Sequence, residues 1–413
     1  MTTAYILSIG NELLSGQTVD TNAAWLAGRL LSEGISTIGV SQVPDENERI
    51  IQSLKEVSDL ADLILLTGGL GPTDDDLTRH ALADFLGRPL EFREDLFGEI
   101  EAFFTRLGRT MAPRNRVQAY LPAGTDALAN PLGTAPGIKF EQGGTFYAAM
   151  PGVPSEMKQM FTDHVLPAVR GKGGQQFVVI EKVRCFGPGE STLAEKLGDL
   201  MDRKRNPLIN CTVSGGILTL HIVAKSPSRQ EAQGLIEMDR NHLCGLLGDW
   251  VYGFNEDTLP EMLAAKLKQS NKTLVFAESC TGGLCSKLIT DVPGSSEYFL
   301  GGWVTYSNEA KIRDLEVPKE LIEQHGAVSE PVAEAMASGA ARKSGADIAV
   351  AITGIAGPEG GTEQKPVGTV YISMWFNGKT QTTLWRYPSV SRQNIRLRTA
   401  LTAINWVRSE LNI

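Results

Sequence analysis

Cysteine is scarce in this 413-residue chain: five residues, Cys185, Cys211, Cys244, Cys280 and Cys285, with no CxxC pair and an odd total. That excludes a disulfide framework and points to free thiols in a reducing compartment. The five histidines are scattered, which excludes a His-rich zinc site. No apolar run approaches the roughly 18 residues of a membrane span. Met1-Thr-Thr-Ala-Tyr5 leads straight into a strand-like segment, without a basic stretch followed by an apolar one. No signal peptide is therefore expected, and the expected location is cytoplasmic. Positive charge is also short: 39 Lys and Arg against 48 Asp and Glu leave a net charge of -9. A nucleic-acid partner is thereby disfavoured. Internal repeats and low-complexity tracts are absent.

What is present is ordinary globular composition, 42% hydrophobic and 21% charged, on a chain long enough for about two to four domains. Tyr5–Ile9 and Leu63–Leu66 read as buried parallel strands. Between them, residues 22–34 carry apolar residues at helical spacing, with Gly34 as the C-cap. The Gly/Gln stretch 171–176 reads as a flexible joint. Beyond it come a strand over Phe177–Phe186, a helix from about Ser191, a hairpin across Ser214-Gly-Gly216 and a helix from about Ser228. After a polar joint at residues 253–257, strands are expected at 273–276, 348–352 and 370–374. Helices are expected at 259–269, at 331–343 behind an N-capping Ser329, and at 392–411. The expected fold class is α/β, with two three-layer α/β domains (1–170 and 258–413) joined by a small α+β domain (171–253).

Two loop systems carry chemistry. In the first half, Thr67-Gly-Gly-Leu-Gly-Pro-Thr-Asp-Asp-Asp76 follows a strand. Its glycines let backbone N–H groups approach an anion, and a helix opening behind them favours phosphate. Three consecutive aspartates would repel phosphate unless a divalent cation lay between them, so the loop argues for a metal–phosphate site. Glu12, in the other strand-end loop, is a further ligand or a general base. The plainer alternative is an acid-rich helix start that complements the helix dipole.

In the second half, Ala277-Glu-Ser-Cys-Thr-Gly-Gly283 follows a strand and opens a helix. A serine at such a turn needs a base, and no histidine stands near it, since His325 falls in a separate loop-like stretch. A desolvated lysine can replace histidine. Trp303-Val-Thr-Tyr-Ser-Asn-Glu-Ala-Lys311 supplies Tyr306 and Lys311, and a third Gly-rich turn supplies Thr353, Gly354 and Gly357. Ser279 is the candidate nucleophile and Lys311 its candidate base, with backbone N–H groups at the helix start close enough to form an oxyanion hole. Cys280 is an alternative, thiol nucleophile. Arg392 and Arg396 lie four residues apart on one helical face, and at least one of Arg392, Arg396 and Arg398 is expected to be only a solvated charge.

These motifs resemble the CinA (competence/damage-inducible protein A) family. The resemblance rests on Gly10-Asn-Glu-Leu, Asp20-Thr-Asn22, the Thr67–Asp76 loop and Pro151-Gly-Val-Pro154, and in the second half on Glu-Ser-Cys-Thr-Gly-Gly, Tyr-Ser-Asn-Glu-Ala-Lys, His-Gly-Ala-Val-Ser-Glu, Gly-Ile-Ala-Gly-Pro and Lys-Pro-Val-Gly-Thr-Val. It covers the whole chain. It implies a molybdopterin-binding-like first domain with metal-dependent ADP-ribose pyrophosphatase activity, and a last domain that hydrolyses nicotinamide mononucleotide to nicotinate mononucleotide and ammonia. Glu12, Asp74, Asp75 and Asp76 are then candidates for a divalent metal, and Gly68, Gly69, Gly71 and Thr73 for the phosphate loop. At the second site it implies no cofactor: Ser279 would attack the carboxamide with Lys311 as base, Tyr306 would orient the proton path, amides near Cys280 and Thr281 would hold the oxyanion, and Gly282, Thr353, Gly354, Gly357, Arg392 and Arg396 would bind substrate. A KH-like middle domain and a homodimer are also implied, though Pro188 and Glu190 suit a nucleic-acid backbone poorly. His221 and His242 are read as structural, and Arg203-Lys-Arg205 as a solvated face. The rivals are a molybdopterin-binding protein and a binding protein of competence or DNA damage.

Overall fold

The computed structural model describes residues 2–170, 177–387 and 391–411; the joint expected at residues 171–176 lies outside them. The described residues gather into two compact units, 1–180 with 224–235, and 181–223 with 236–413. Among them no helix is long and apolar enough to cross a membrane.

The first unit contains strands β1 (Thr3–Ile9), β2 (Ser36–Val43) and β3 (Leu63–Thr67), a short ribbon of β4 (Leu90–Phe92) and β5 (Tyr120–Pro122), and then β6 (Asp126–Leu128), β7 (Gly137–Gln142) and β8 (Thr145–Met150). The main sheet has the order β2-β1-β3-β8-β7-β6, with the first four strands parallel. Its strands are apolar on both faces. Ala4, Ile6, Leu63 and Leu65 pack into one core, while Leu7, Ile9, Ile64 and Leu66 pack into the other. Period-two alternation with both faces buried requires helices on both sides, which is the three-layer arrangement. After a single helical turn at Asn11–Leu14, a longer helix runs Thr21–Ser32 with Asp20 accepting from the Ala23 N–H. Gly34, at φ 75°, stands one residue past the capping Glu33.

The middle sheet, β10-β11-β9-β12, is formed by β9 (Phe177–Phe186), β10 (Leu208–Ser214), β11 (Ile217–Ser226) and β12 (Val251–Phe254). Gly215 and Gly216, both at positive φ, make the two-residue turn of the β10–β11 hairpin. Helices Glu190–Leu197 and Arg229–Leu247 complete this α+β portion.

The last sheet comprises β13 (Leu274–Glu278), β14 (Phe299–Val304), β15 (Ile348–Gly354), β16 (Thr369–Phe376) and β17 (Lys379–Arg386), in the order β14-β13-β15-β16-β17. β14, β13 and β15 are parallel and the other two antiparallel. Leu274, Phe276, Val350 and Ile352 face one core, and Val275, Ala277, Ala349 and Ala351 the other. Helices cover Leu259–Ser270, Glu330–Ser344 and Arg392–Glu410. Two local details differ from expectation. Ser329 stands at the N-cap as expected, but its hydroxyl makes no capping hydrogen bond and donates to the Gly326 carbonyl. His325 is the last residue of helix Lys319–His325 rather than a loop residue.

Candidate active sites

In the last sheet the chain leaves β13 for β14 on one side and later reaches β15 on the other, so a crevice opens at the carboxyl end of β13. Ser279 follows β13, Thr305 and Tyr306 follow β14, and Thr353 and Gly354 end β15. Lys311 enters from helix Asn308–Leu315, on the inward face that it shares with Leu315. It is 1% exposed, and its Nζ lies 2.7 Å from the Thr305 carbonyl, 3.1 Å from Ser279 Oγ and 3.5 Å from the Tyr306 carbonyl. Burial pulls the Lys311 pKa below the ordinary lysine value. No carboxylate opposes that shift; the neighbour that would is the Cys280 thiol, and burial pushes this thiol up to about 12. A neutral thiol offers no counter-charge, and it also disposes of Cys280 as the nucleophile.

The turn bearing Ser279 is fixed from three sides. Its N–H donates to the Ile352 carbonyl at 3.0 Å, continuing the sheet. Glu278, fully buried, accepts from the N–H groups of Cys285 and Ser286 and from Ser286 Oγ at 3.1, 2.9 and 2.7 Å. The N–H of Gly282 donates to the Ser279 carbonyl, while those of Cys280 and Thr281 make no bond to a backbone carbonyl among the described residues, that of Cys280 lying against its own sulfur. They are the donors available to an oxyanion. Helix Leu284–Thr290 starts only after Gly283, so Ser279 sits on a turn before the helix rather than at its first position.

The arginines brace these loops. Arg396 donates to the Thr281 carbonyl through Nε and Nη2 at 3.2 and 2.6 Å. Arg392 donates to the Gly357 carbonyl at 2.7 Å and to the Tyr306 hydroxyl at 2.8 Å. The expectation that Tyr306 orients the proton path is therefore corrected for its hydroxyl: the ring is 59% exposed and stands on Arg392, and only its carbonyl reaches Lys311. The Thr353 hydroxyl donates to the Ala327 carbonyl and so holds a neighbouring turn.

In the first unit, a cleft of about 410 Å³ at the carboxyl ends of β1, β3 and β8 is lined by Glu12, Asp45, Gly68, Gly69, Gly71, Asp75, Asp76, Gln118 and Glu156, among others. Gly68, at φ 111°, passes so close to the Ile9 carbonyl that any Cβ would collide with it. The expected phosphate loop is partly closed by its own acid. Asp76 accepts from the N–H groups of Gly71 and Thr73 at 2.7 and 2.8 Å and from the Thr73 hydroxyl. These two amides therefore hold a carboxylate where a phosphate was expected. Asp76 closes the loop and does not cap helix Thr78–Leu86. Arg79, buried beneath, donates to the carbonyls of Leu70 and Gly71, and its burial pulls its pKa down to about 10.

The expected metal set is not assembled either. Asp74 is exposed and outside the cleft lining, and among the described residues no three His, Cys, Asp or Glu side chains are grouped to hold a metal ion. The reason is local: the turn that directs Asp76 inward sends its neighbour Asp74 to solvent. Asp45, not anticipated from sequence, shares the cleft. Its carboxyl is held above the usual range by burial, against a hydrogen bond from the Asn11 N–H, and by the charges of Glu12, Asp75 and Asp76.

Three family models match: a probable molybdopterin binding domain over residues 5–171, the damage-inducible protein CinA KH domain over 181–253, and the CinA C-terminal domain over 256–411. A competence-damage inducible protein of Halothermothrix orenii is 44% identical over 371 residues, 90% of this chain and 89% of the relative. A CinA-like protein of Gloeothece citriformis is 42% identical over 99% of this chain and 98% of its own length. The chain belongs to the CinA family. A solved structure, the competence/damage inducible protein CihA from Agrobacterium tumefaciens, is 40% identical and covers 38% of this chain and 94% of its own, with a TM-score of 0.37.

Within this CinA-family chain, sequence reasoning missed Glu278, Asp45, Gln118 and the carbonyl of Thr305. Glu278 stood inside a quoted motif, yet nothing in the sequence says that its carboxylate turns onto the amides of the helix ahead. The Thr305 contact is made by backbone and leaves no side-chain signal.

Proposed function

We propose that the C-terminal site hydrolyses a carboxamide by a serine–lysine mechanism, with nicotinamide mononucleotide as substrate. The observation that carries this reading is the Ser279–Lys311 pair, 3.1 Å apart, with the amine buried and without a counter-ion among the described residues. A neutral Lys311 donates its two N–H bonds to the carbonyls of Thr305 and Tyr306 and turns its lone pair to the Ser279 hydroxyl. It takes that proton as Oγ adds to the carboxamide carbon, while the Cys280 and Thr281 amides hold the oxyanion. Passing the proton to the carboxamide nitrogen breaks the C–N bond and releases ammonia, leaving an acyl-serine. Water, deprotonated by the same amine, then attacks the acyl carbon, Ser279 recovers its proton and nicotinate mononucleotide leaves. The charges of Arg392 and Arg396 attract the nucleotide phosphate while their hydrogen bonds keep the loops in register.

For the N-terminal cleft the proposed reaction is cleavage of ADP-ribose to AMP and ribose 5-phosphate. Supporting it are the glycine loop over the buried Arg79 cation and the opposed charges of Glu12, Asp45, Asp75 and Asp76. A magnesium-like cation binds through one or two carboxylates together with substrate phosphates, so a ready three-residue cage is not required. Glu12, Asp45 and Asp75 would hold it, and it would supply neutralisation of the pyrophosphate charge. Asp76 keeps the loop closed, and Arg79 keeps the loop carbonyls turned inward.

The test is ammonia release from nicotinamide mononucleotide. S279A, folded, should abolish it, and full activity in that variant would end the proposal. Chelation should stop ADP-ribose cleavage and spare ammonia release; loss of both together would refute the assignment of a metal to the first site alone.

A further inference from the structure

Gln118 sits on the short helical segment Pro113–Ala119 and lines the N-terminal cleft, yet it is 1% exposed. Its orientation is set from behind: Asn115 Nδ2 donates to Gln118 Oε1 at 3.0 Å. That leaves Gln118 Nε2, which is buried and without a hydrogen-bond partner. Buried amide donors are nearly always satisfied, because an unmade bond retains the full desolvation penalty of the group. A buried donor left without a partner on a residue that lines a cleft is accounted for when a ligand completes it.

The remainder of the cleft identifies the acceptor. Glu12, Asp45, Asp75, Asp76 and Glu156 all line it, so the ligand cannot be a bare anion and arrives with a cation. The Gly71 and Thr73 amides are already spent on Asp76, so the loop offers fewer donors to a phosphate than its glycines promise. A neutral donor is what such a wall needs. It contacts a phosphoryl oxygen without adding a charge that would compete with the cation for the carboxylates. We infer that Gln118 is a binding residue of the N-terminal cleft, donating its side-chain N–H to a phosphoryl oxygen of the ligand, with Asn115 as its positioning residue. The inference deepens the pyrophosphatase proposal by naming a recognition contact, but it needs only a phosphorylated ligand.

The experiment is calorimetric titration of the full chain with ADP-ribose, AMP and inorganic pyrophosphate, each with magnesium, for the parent, Q118M and N115A. Q118M removes the donor and should weaken every probe that the parent binds, by about ten- to a hundred-fold. N115A leaves the donor in place and removes only its anchor, so its loss should be clearly smaller. Equal affinities for the parent and Q118M would overturn the inference, as would equal losses in Q118M and N115A, because the pair would then matter only as packing. Should the parent bind pyrophosphate but neither ADP-ribose nor AMP, the pyrophosphatase proposal falls while the Gln118 contact stands or falls on Q118M alone. Binding of none of the three probes by the parent overturns both.

Discussion

Replacing Lys311 by Met keeps the length and apolar stem of the side chain and removes only the amine. The amine is 1% exposed, touches two carbonyls and Ser279 Oγ, and faces no carboxylate. If it is the base, its loss should lower kcat for ammonia release by about 10²- to 10⁴-fold, the usual worth of a positioned general base, or roughly 3–5 kcal/mol of barrier. The pH profile should move with it. The parent's activity should fall as pH drops through the lowered Lys311 pKa, because the protonated amine cannot accept the serine proton. K311M should lack that limb. Stability supplies an independent check. A lysine with a depressed folded pKa binds fewer protons in the native than in the unfolded chain between that pKa and about 10.4, so native stability rises with pH across that window. The parent should therefore gain on K311M by up to about 1.4 kcal/mol per pH unit there, measured by urea unfolding at stepped pH. Below the folded pKa the difference should be flat. A K311M enzyme within tenfold of the parent, or a pH-independent stability difference, would refute the buried neutral amine.

Two further outcomes follow from the same geometry. E278Q replaces a fully buried acceptor of three hydrogen bonds by a group with one acceptor oxygen, so a donor should be left facing a donor. A loss of about 1–3 kcal/mol is expected in chemical denaturation, with ammonia release lowered as the serine turn loosens. R396K cannot reproduce the paired Nε and Nη2 donation to the Thr281 carbonyl, so kcat should fall by about tenfold, read from steady-state kinetics.

Much of this molecule was legible in order of residues. Two-faced apolar runs such as Leu63–Thr67 and Ile348–Gly354 declare buried parallel strands, because each alternate side chain needs a core. Punctuating glycines mark the loops at their carboxyl ends, and in an open α/β sheet that is where ligands bind. Ser279, Lys311 and the loop of Gly68 and Gly69 could be named from this alone, since type and spacing carry their chemistry. What the sequence could not decide is which way a polar group turns. Asp74, Asp75 and Asp76 are identical in composition, but a tight turn sends Asp74 to solvent and folds Asp76 onto the amides of Gly71 and Thr73. Tyr306 is adjacent to the lysine's carbonyl partner, but its ring swings out to Arg392. Lys311 can serve as the proposed base because helix Asn308–Leu315 packs it inward beside Leu315, away from water and with no carboxylate partner among the described residues. Burial, pairing and hydrogen-bond direction are properties of neighbours brought together from distant parts of the chain, so only the tertiary structure sets them.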